Sequence, residues 1–144
     1  MRTPRLNYWL RFTTVSLAGV PVQTGILAFL LRVVGLHYLP ASVVAVEGAV
    51  LHNFVFHKLW TWADRPGVAN GGCWSMLMRF HLTNGISSLG ATLLLMPLLV
   101  DGARLGPVLA NLIAIAVCSL LSLINFVLSD RLVFTDRLGG RPPV

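Results

Sequence analysis

Two phrases decide the fold: Asn53-Phe54-Val55-Phe56-His57-Lys58-Leu59-Trp60-Thr61-Trp62-Ala63-Asp64 and Asn125-Phe126-Val127-Leu128-Ser129-Asp130-Arg131-Leu132-Val133-Phe134-Thr135-Asp136. Both open on Asn-Phe-Val, both close on Asp, and each ends a long apolar run. Upstream of each phrase lies a second apolar run that begins on the same dipeptide, Arg11-Phe12 in one half and Arg79-Phe80 in the other. The distance from Arg to Asn is 42 residues in the first half (53 − 11) and 46 in the second (125 − 79), so an insertion of four residues lies in the second half. The pattern is a duplicated hairpin whose halves point the same way, a parallel repeat.

The solvent of these runs follows from composition. Of 144 residues, 56% are hydrophobic and 11% charged, whereas a soluble domain carries about 25% charge. A helix needs about 20 mainly apolar residues to cross ~30 Å of hydrocarbon. Four segments meet this, near 12–31, 41–60, 80–100 and 105–129. The expected fold class is therefore all-α: a polytopic membrane protein of four transmembrane helices, forming one membrane domain over 1–144. Pro21 and Pro97 fall inside spans, which membrane helices tolerate; Pro40 and Pro107 fall at helix starts, where a missing N–H costs little. The run after Arg11 is too long for a signal h-region and is read as a retained helix.

The net charge of +6 does not point to nucleic acid, because the basic residues sit between apolar runs. Arg2, Arg5, Arg11, Lys58, Arg65, Arg79, Arg131, Arg137 and Arg141 fall on one side of the predicted bundle; Arg32 and Arg104 fall on the other. The positive-inside bias places both termini and a Gly-rich loop, 63–78, in the cytoplasm. Trp60, Trp62, Trp74 and Phe134 are expected at headgroup level. Cys73 and Cys118 form no disulfide framework, the four histidines lack metal-ligand spacing, and no cofactor site or enzyme active site is legible.

Each predicted helix carries one polar edge. The first has Thr13, Ser16 and Gln23, the third His81, Asn84, Ser88 and Thr92, and the fourth Asn111, Cys118, Ser122, Asn125 and Ser129. The second has Asn53 and His57, with Glu47 near its middle, where a carboxylate costs roughly 2.5–3.5 kcal/mol on insertion scales. Glu47 and Lys58 share a face at different depths, about 16 Å apart along the axis. Turned inward, these edges would make a hydrophilic path through lipid. Small polar residues also serve helix packing, which explains the Ser and Thr better than Glu47, Gln23, Asn84 and the histidines.

The Asn53-Phe54 phrase leading to Lys58 and Trp60-Thr61-Trp62, with Ala45-Val46-Glu47 before it, resembles the GtrA-like family of small four-helix membrane proteins. The resemblance runs from Arg11 to Thr135. It implies translocation of a polyprenyl-phosphate-linked monosaccharide across the cytoplasmic (cell inner) membrane for cell-surface polysaccharide glycosylation, beside a membrane glycosyltransferase. Carried over to this chain, it implies that Lys58 and Arg131, with Arg79 and Arg11, meet the lipid phosphate. Asn53, Asn125 and His57 would meet sugar hydroxyls, and Glu47 would take the sugar or a proton deeper in. Asp130 departs from the family's second phrase, which often has a polar or basic residue there. Four helices are few for a closed path, so a homodimer is expected as one way to complete it. Two other readings stay open from sequence: a proton-coupled exporter similar to small multidrug-resistance transporters, using Glu47, and a non-transporting anchor for a glycosyltransferase.

Overall fold

A computed structural model describes residues 4–65, 68, 72–119 and 131. The described residues form four helices and no strand. Helix α1 covers Pro4–Phe29 and passes into a π-helical turn, Leu30–Val34. Helix α2 covers Tyr38–Phe56 and passes into another, His57–Thr61. Helix α3 is continuous over Cys73–Gly102, with π-helical turns at His81–Gly85 and Leu98–Gly102. Helix α4 is described over Pro107–Ser119. The spans Asn7–Val34, Tyr38–Thr61 and Cys73–Gly102 hold 28, 24 and 30 residues. At ~1.5 Å per residue they measure about 42, 36 and 45 Å, longer than the ~30 Å hydrocarbon core, so their ends reach the headgroup zone. This is a four-helix membrane protein.

Two expectations shift. Residues 73–78, expected in the loop, begin α3. The Gly and polar signal of that loop ends at Gly72, and Trp74, Met76 and Leu77 can continue a helix whose Met76 and Phe80 are buried. Trp62, expected in a belt facing the headgroups, points into the protein and is fully buried, whereas Trp60 and Trp74 are exposed. Ser122, Asn125, Ser129 and Phe134 lie outside the described residues.

The two hairpins turn by the same device. At the end of α1, Gly35 takes a left-handed φ of 73° and the Leu36 N–H donates back to the Leu30 carbonyl at 3.0 Å. At the end of α3, Arg104 takes a φ of 57° and the Leu105 N–H donates back to the Leu99 carbonyl at 3.0 Å. This six-residue return satisfies carbonyls that a helix terminus otherwise leaves open. A left-handed residue is expected to be glycine; in the second copy arginine holds the position. The repeat seen in the Arg-Phe starts therefore recurs in the backbone of the turns.

Packing differs along the bundle axis. At the end near the chain's N-terminus, Phe12, Val46, Val50, Phe54, Trp62, Val68, Met76 and Phe80 form an apolar cluster. Here the Tyr8 hydroxyl donates to Asp64 at 2.7 Å, Arg65 lies 4.8 Å over the Tyr8 ring, and Arg11 donates to the Trp60 carbonyl at 3.1 Å. At the opposite end, which carries both hairpin turns, Tyr38, Met96 and Ala110 form a second cluster, and the Tyr38 hydroxyl donates to the Asp101 carboxylate. The α1–α2 seam is lined by small residues. Ala41, Ala45 and Ala49 recur every fourth position and are buried. A Cβ at Gly48 would fall 2.4 Å from Ile26 Cδ1. Small residues at this spacing let backbones approach where lipid gives no hydrophobic drive. A third apolar cluster, Leu27, Ala41 and Ala45, packs α1 on α2, and polar side chains from all four helices enter the core between the end clusters.

Candidate functional site

All four helices contribute to a cavity of about 140 Å³ in the middle of the bundle. From α1 come Ser16, Gly19 and Gln23; from α2, Asn53 and His57; from α3, Asn84, Ser88 and Thr92; from α4, Cys118 and Ser119. Phe12, Val20, Val46, Val50 and Phe80 supply apolar wall. At ~30 Å³ per liquid water the space holds roughly four or five molecules. The amides, hydroxyls and imidazole around it give such molecules the several hydrogen-bond partners that a buried water needs.

His57 is the most enclosed polar member, 1% exposed. Its ring stacks on Phe12 with centroids 4.6 Å apart and planes within 5°, and meets Trp62 at 5.1 Å and Phe80 at 5.7 Å. Its Nδ1 is hydrogen-bonded with Thr61 Oγ1 at 2.9 Å. That bond fixes the ring and leaves Nε2 as the nitrogen able to meet a ligand. The phenylalanines that begin the two repeats thus meet around one histidine, on the first turn of the π-helical segment of α2. A π-turn inserts an extra residue into the helix and often marks a functional position.

Asn53 sits one turn further in. Its amide lies against Gly19 so closely that a Cβ there would be 2.6 Å from Oδ1 and 3.0 Å from Nδ2. Gly19 is the notch that admits this amide to the seam. Asn53 Oδ1 is also hydrogen-bonded with His52 Nδ1 at 3.2 Å. Asn84 is buried, and its Nδ2 donates to Thr83 Oγ1 at 3.0 Å. Beyond these, the Gln23 Nε2 donates to Asn111 Oδ1 at 2.8 Å and ties α1 to α4. Asn111 is fully buried, and its Nδ2 has no hydrogen-bond partner among the described residues.

The residues read from sequence are thus sorted by place. Asn53, His57 and Asn84 come together around the cavity. Glu47 does not join them. Its Oε2 is 2.6 Å from His81 Nε2, on the α2–α3 seam, with the side chains 35% and 25% exposed. The physical reason is helical phase: Glu47 lies six residues from Asn53, on another side of α2, and faces the early part of α3. His81 leaves the inward edge of α3 to meet it, and its ring packs against Gly85, whose added Cβ would be 3.2 Å from His81 Cδ2. Lys58 is half-buried, and Arg79 and Arg131 are exposed; none of the three lines the cavity. Asn125 lies outside the described residues. No group of three metal-ligating side chains occurs among the described residues.

Sequence reading missed three features of the site. Phe12 and Phe80 were visible as markers of the repeat but not as walls of one box. Gly19 carries no signal of its own, because its role depends on the height at which Asn53 crosses α1. Gln23 and Asn111 were each visible on a polar edge, but their pairing requires knowing which helices are neighbours.

Residues 11–134 match the family described as GtrA/DPMS, transmembrane domain. Over 72 residues the chain is 32% identical to a dolichol-phosphate mannosyltransferase of Pyrococcus furiosus. That match takes in 50% of this chain and 19% of the relative, so the matched stretch spans about a fifth of that protein's length. No solved structure matches the chain.

Proposed function

Because the chain belongs to the GtrA/DPMS transmembrane-domain family, we propose that it moves the head of a polyprenyl-phosphate-linked monosaccharide across the cytoplasmic membrane, for glycosylation of cell-surface polysaccharide. The observation that carries this reading is the cavity inside the bundle, where polar side chains from all four helices stand in an otherwise apolar wall. A hydroxyl taken into hydrocarbon without a partner costs roughly 4–8 kcal/mol, and a sugar carries several. Asn53, His57, Asn84, Ser88 and Thr92 supply donors and acceptors at the depth where the surrounding lipid offers none, which lowers that barrier. The prenyl chain stays in lipid. Lys58, Arg79 and Arg131, with Arg11, attract the phosphate at the cytoplasmic face.

Glu47 takes a different part in this reading than direct contact with sugar in the cavity. Bonded to His81, it pins α2 to α3 and holds two cavity walls in register. The same placement weighs against a proton-coupled cation exporter built on Glu47, since the carboxylate does not line the enclosed space.

Transbilayer movement of a polyprenyl-phosphate monosaccharide in proteoliposomes tests the proposal. The protein should accelerate movement well above that in protein-free vesicles, and Asn53→Leu and His57→Leu should each remove most of the gain. Rates equal to those of empty vesicles would refute it.

A second reading has its own support. The matched stretch makes up 19% of a protein that is a mannosyltransferase, which favours a transferase partner for this chain and fits an anchoring role. Co-purification of a membrane glycosyltransferase, with no lipid movement by the isolated protein, would select anchoring over transport.

A further inference from the structure

The lining of the cavity stops short of the end that carries the hairpin turns, and one polar contact stands where it stops. Along α1 the lining residues run from Phe12 to Gln23, and along α4 they begin at Ala114. Asn111 lies one turn from Ala114 toward the hairpin turns, so the Gln23–Asn111 hydrogen bond crosses between α1 and α4 just where the cavity stops. Past it lies the apolar cluster of Tyr38, Met96 and Ala110, whose buried members come from α2, α3 and α4. Asn111 has no exposed surface, yet among the described residues its Nδ2 meets no hydrogen-bond acceptor, and Thr24 Oγ1, in the residue next to Gln23, is also buried without a partner among them. Buried polar groups are ordinarily paired. An amide buried with one donor unmatched among the described residues adds less to the closed seam than a fully paired one would, so opening the seam costs correspondingly less.

We infer that the Gln23–Asn111 hydrogen bond is a latch that closes the cavity toward the face carrying the hairpin turns and releases when α4 moves away from α1. As it stands, the space holds only a few waters, less than a sugar phosphate needs, so passage requires the bundle to widen. Among the described residues, the tie between α1 and α4 is this bond between two neutral amides. In membrane proteins such bonds contribute only modestly, because the separated groups find other partners. That makes this one reversible. The inference rests on the transport reading for what the latch serves, but its geometry is testable without any lipid substrate.

The chain's two cysteines provide the reporter. Cys118 lines the cavity, and Cys73 is exposed on the far side of the site. With Cys73→Ser, Cys118 is the sole thiol. In oriented proteoliposomes, a charged, membrane-impermeant methanethiosulfonate is applied to each face in turn and the rate of Cys118 modification is read by mass spectrometry. Gln23→Leu and Asn111→Leu should raise the rate at least tenfold from the hairpin-turn face and leave it unchanged from the other. Gln23→Met, which keeps the side-chain volume, is the gentler form and should do the same. The exchange Gln23→Asn with Asn111→Gln, which rebuilds the bond, should restore the slow rate. Unchanged labelling in the monodisperse single variants, or an exchange variant as reactive as they are, overturns the latch. Lipid movement measured on the same vesicles separates the two ideas: opened variants of a wild type that moves no lipid-linked sugar would keep the latch and remove transport, and unaltered labelling of a wild type that moves it would do the reverse.

Discussion

Replacing Gly19 by alanine places a methyl where the Asn53 amide now lies. The added Cβ would be 2.6 Å from Asn53 Oδ1 and 3.1 Å from Cγ, and ordinary contact begins at 3.4 Å, so the amide must withdraw by 0.8 Å (3.4 − 2.6). Overpacking of this kind costs ~1–3 kcal/mol, against which alanine in a helix gains up to ~1 kcal/mol over glycine. The net effect of Gly19→Ala is a destabilisation of about 1 kcal/mol. With Asn53→Ala already in place the clash is gone and the same change should stabilise by up to ~1 kcal/mol. The sign therefore reverses, and the cycle reports a coupling of about 2 kcal/mol. Equilibrium unfolding in detergent micelles of the four proteins measures it. In transport, a displaced amide loses roughly one hydrogen bond to the passing head, ~1–1.5 kcal/mol, or about tenfold in rate. A Gly19→Ala protein equally destabilised with and without Asn53 would refute the notch, and one that moves lipid at the wild-type rate would separate the notch from function.

Other outcomes rest on separate features. Arg104→Gly should stabilise by about 1 kcal/mol and Gly35→Ala should destabilise by a similar amount, since both sites require a left-handed residue; thermal unfolding of the two variants checks the pair. Glu47→Ala should cost ~1–2 kcal/mol by deleting the bond to His81, and His81→Ala in that background should add little; additive losses in the cycle would show the two side chains act apart. Phe12→Ala should cost about 3 kcal/mol and also change the ring environment of His57, visible as shifted imidazole resonances by NMR. If those resonances keep their positions, the stacked ring is not what holds the histidine.

Much of the fold was readable because hydrocarbon imposes a simple rule: runs of about 20 apolar residues must be helices. Four such runs and two matched phrases gave four helices and their pairing in hairpins. The start of α3 at Cys73 was obscured by the glycines before it, since loop composition says where a helix is absent, not where the next begins. The site was readable in part. Asn53, His57 and Asn84 stood out as polar groups on inward edges, and they line one space. Glu47 stood out most of all, and its place was the least predictable. A costly charge demands a partner, but the sequence does not say whether that partner is a ligand or another side chain, here His81. The phenylalanine box and the Gln23–Asn111 contact depend on contacts between helices, which periodicity along one helix cannot supply.

If the interior of the bundle receives the head of a lipid-linked sugar, that head must touch the residues lining the cavity. A polyprenyl-phosphate monosaccharide with a photoreactive group on the sugar, cross-linked to the reconstituted chain and mapped by mass spectrometry, should label Asn53–His57 on α2 and Asn84–Thr92 on α3. Labelling confined to outward residues such as Val44, Leu51 and Leu94, with none on the cavity wall, would contradict it.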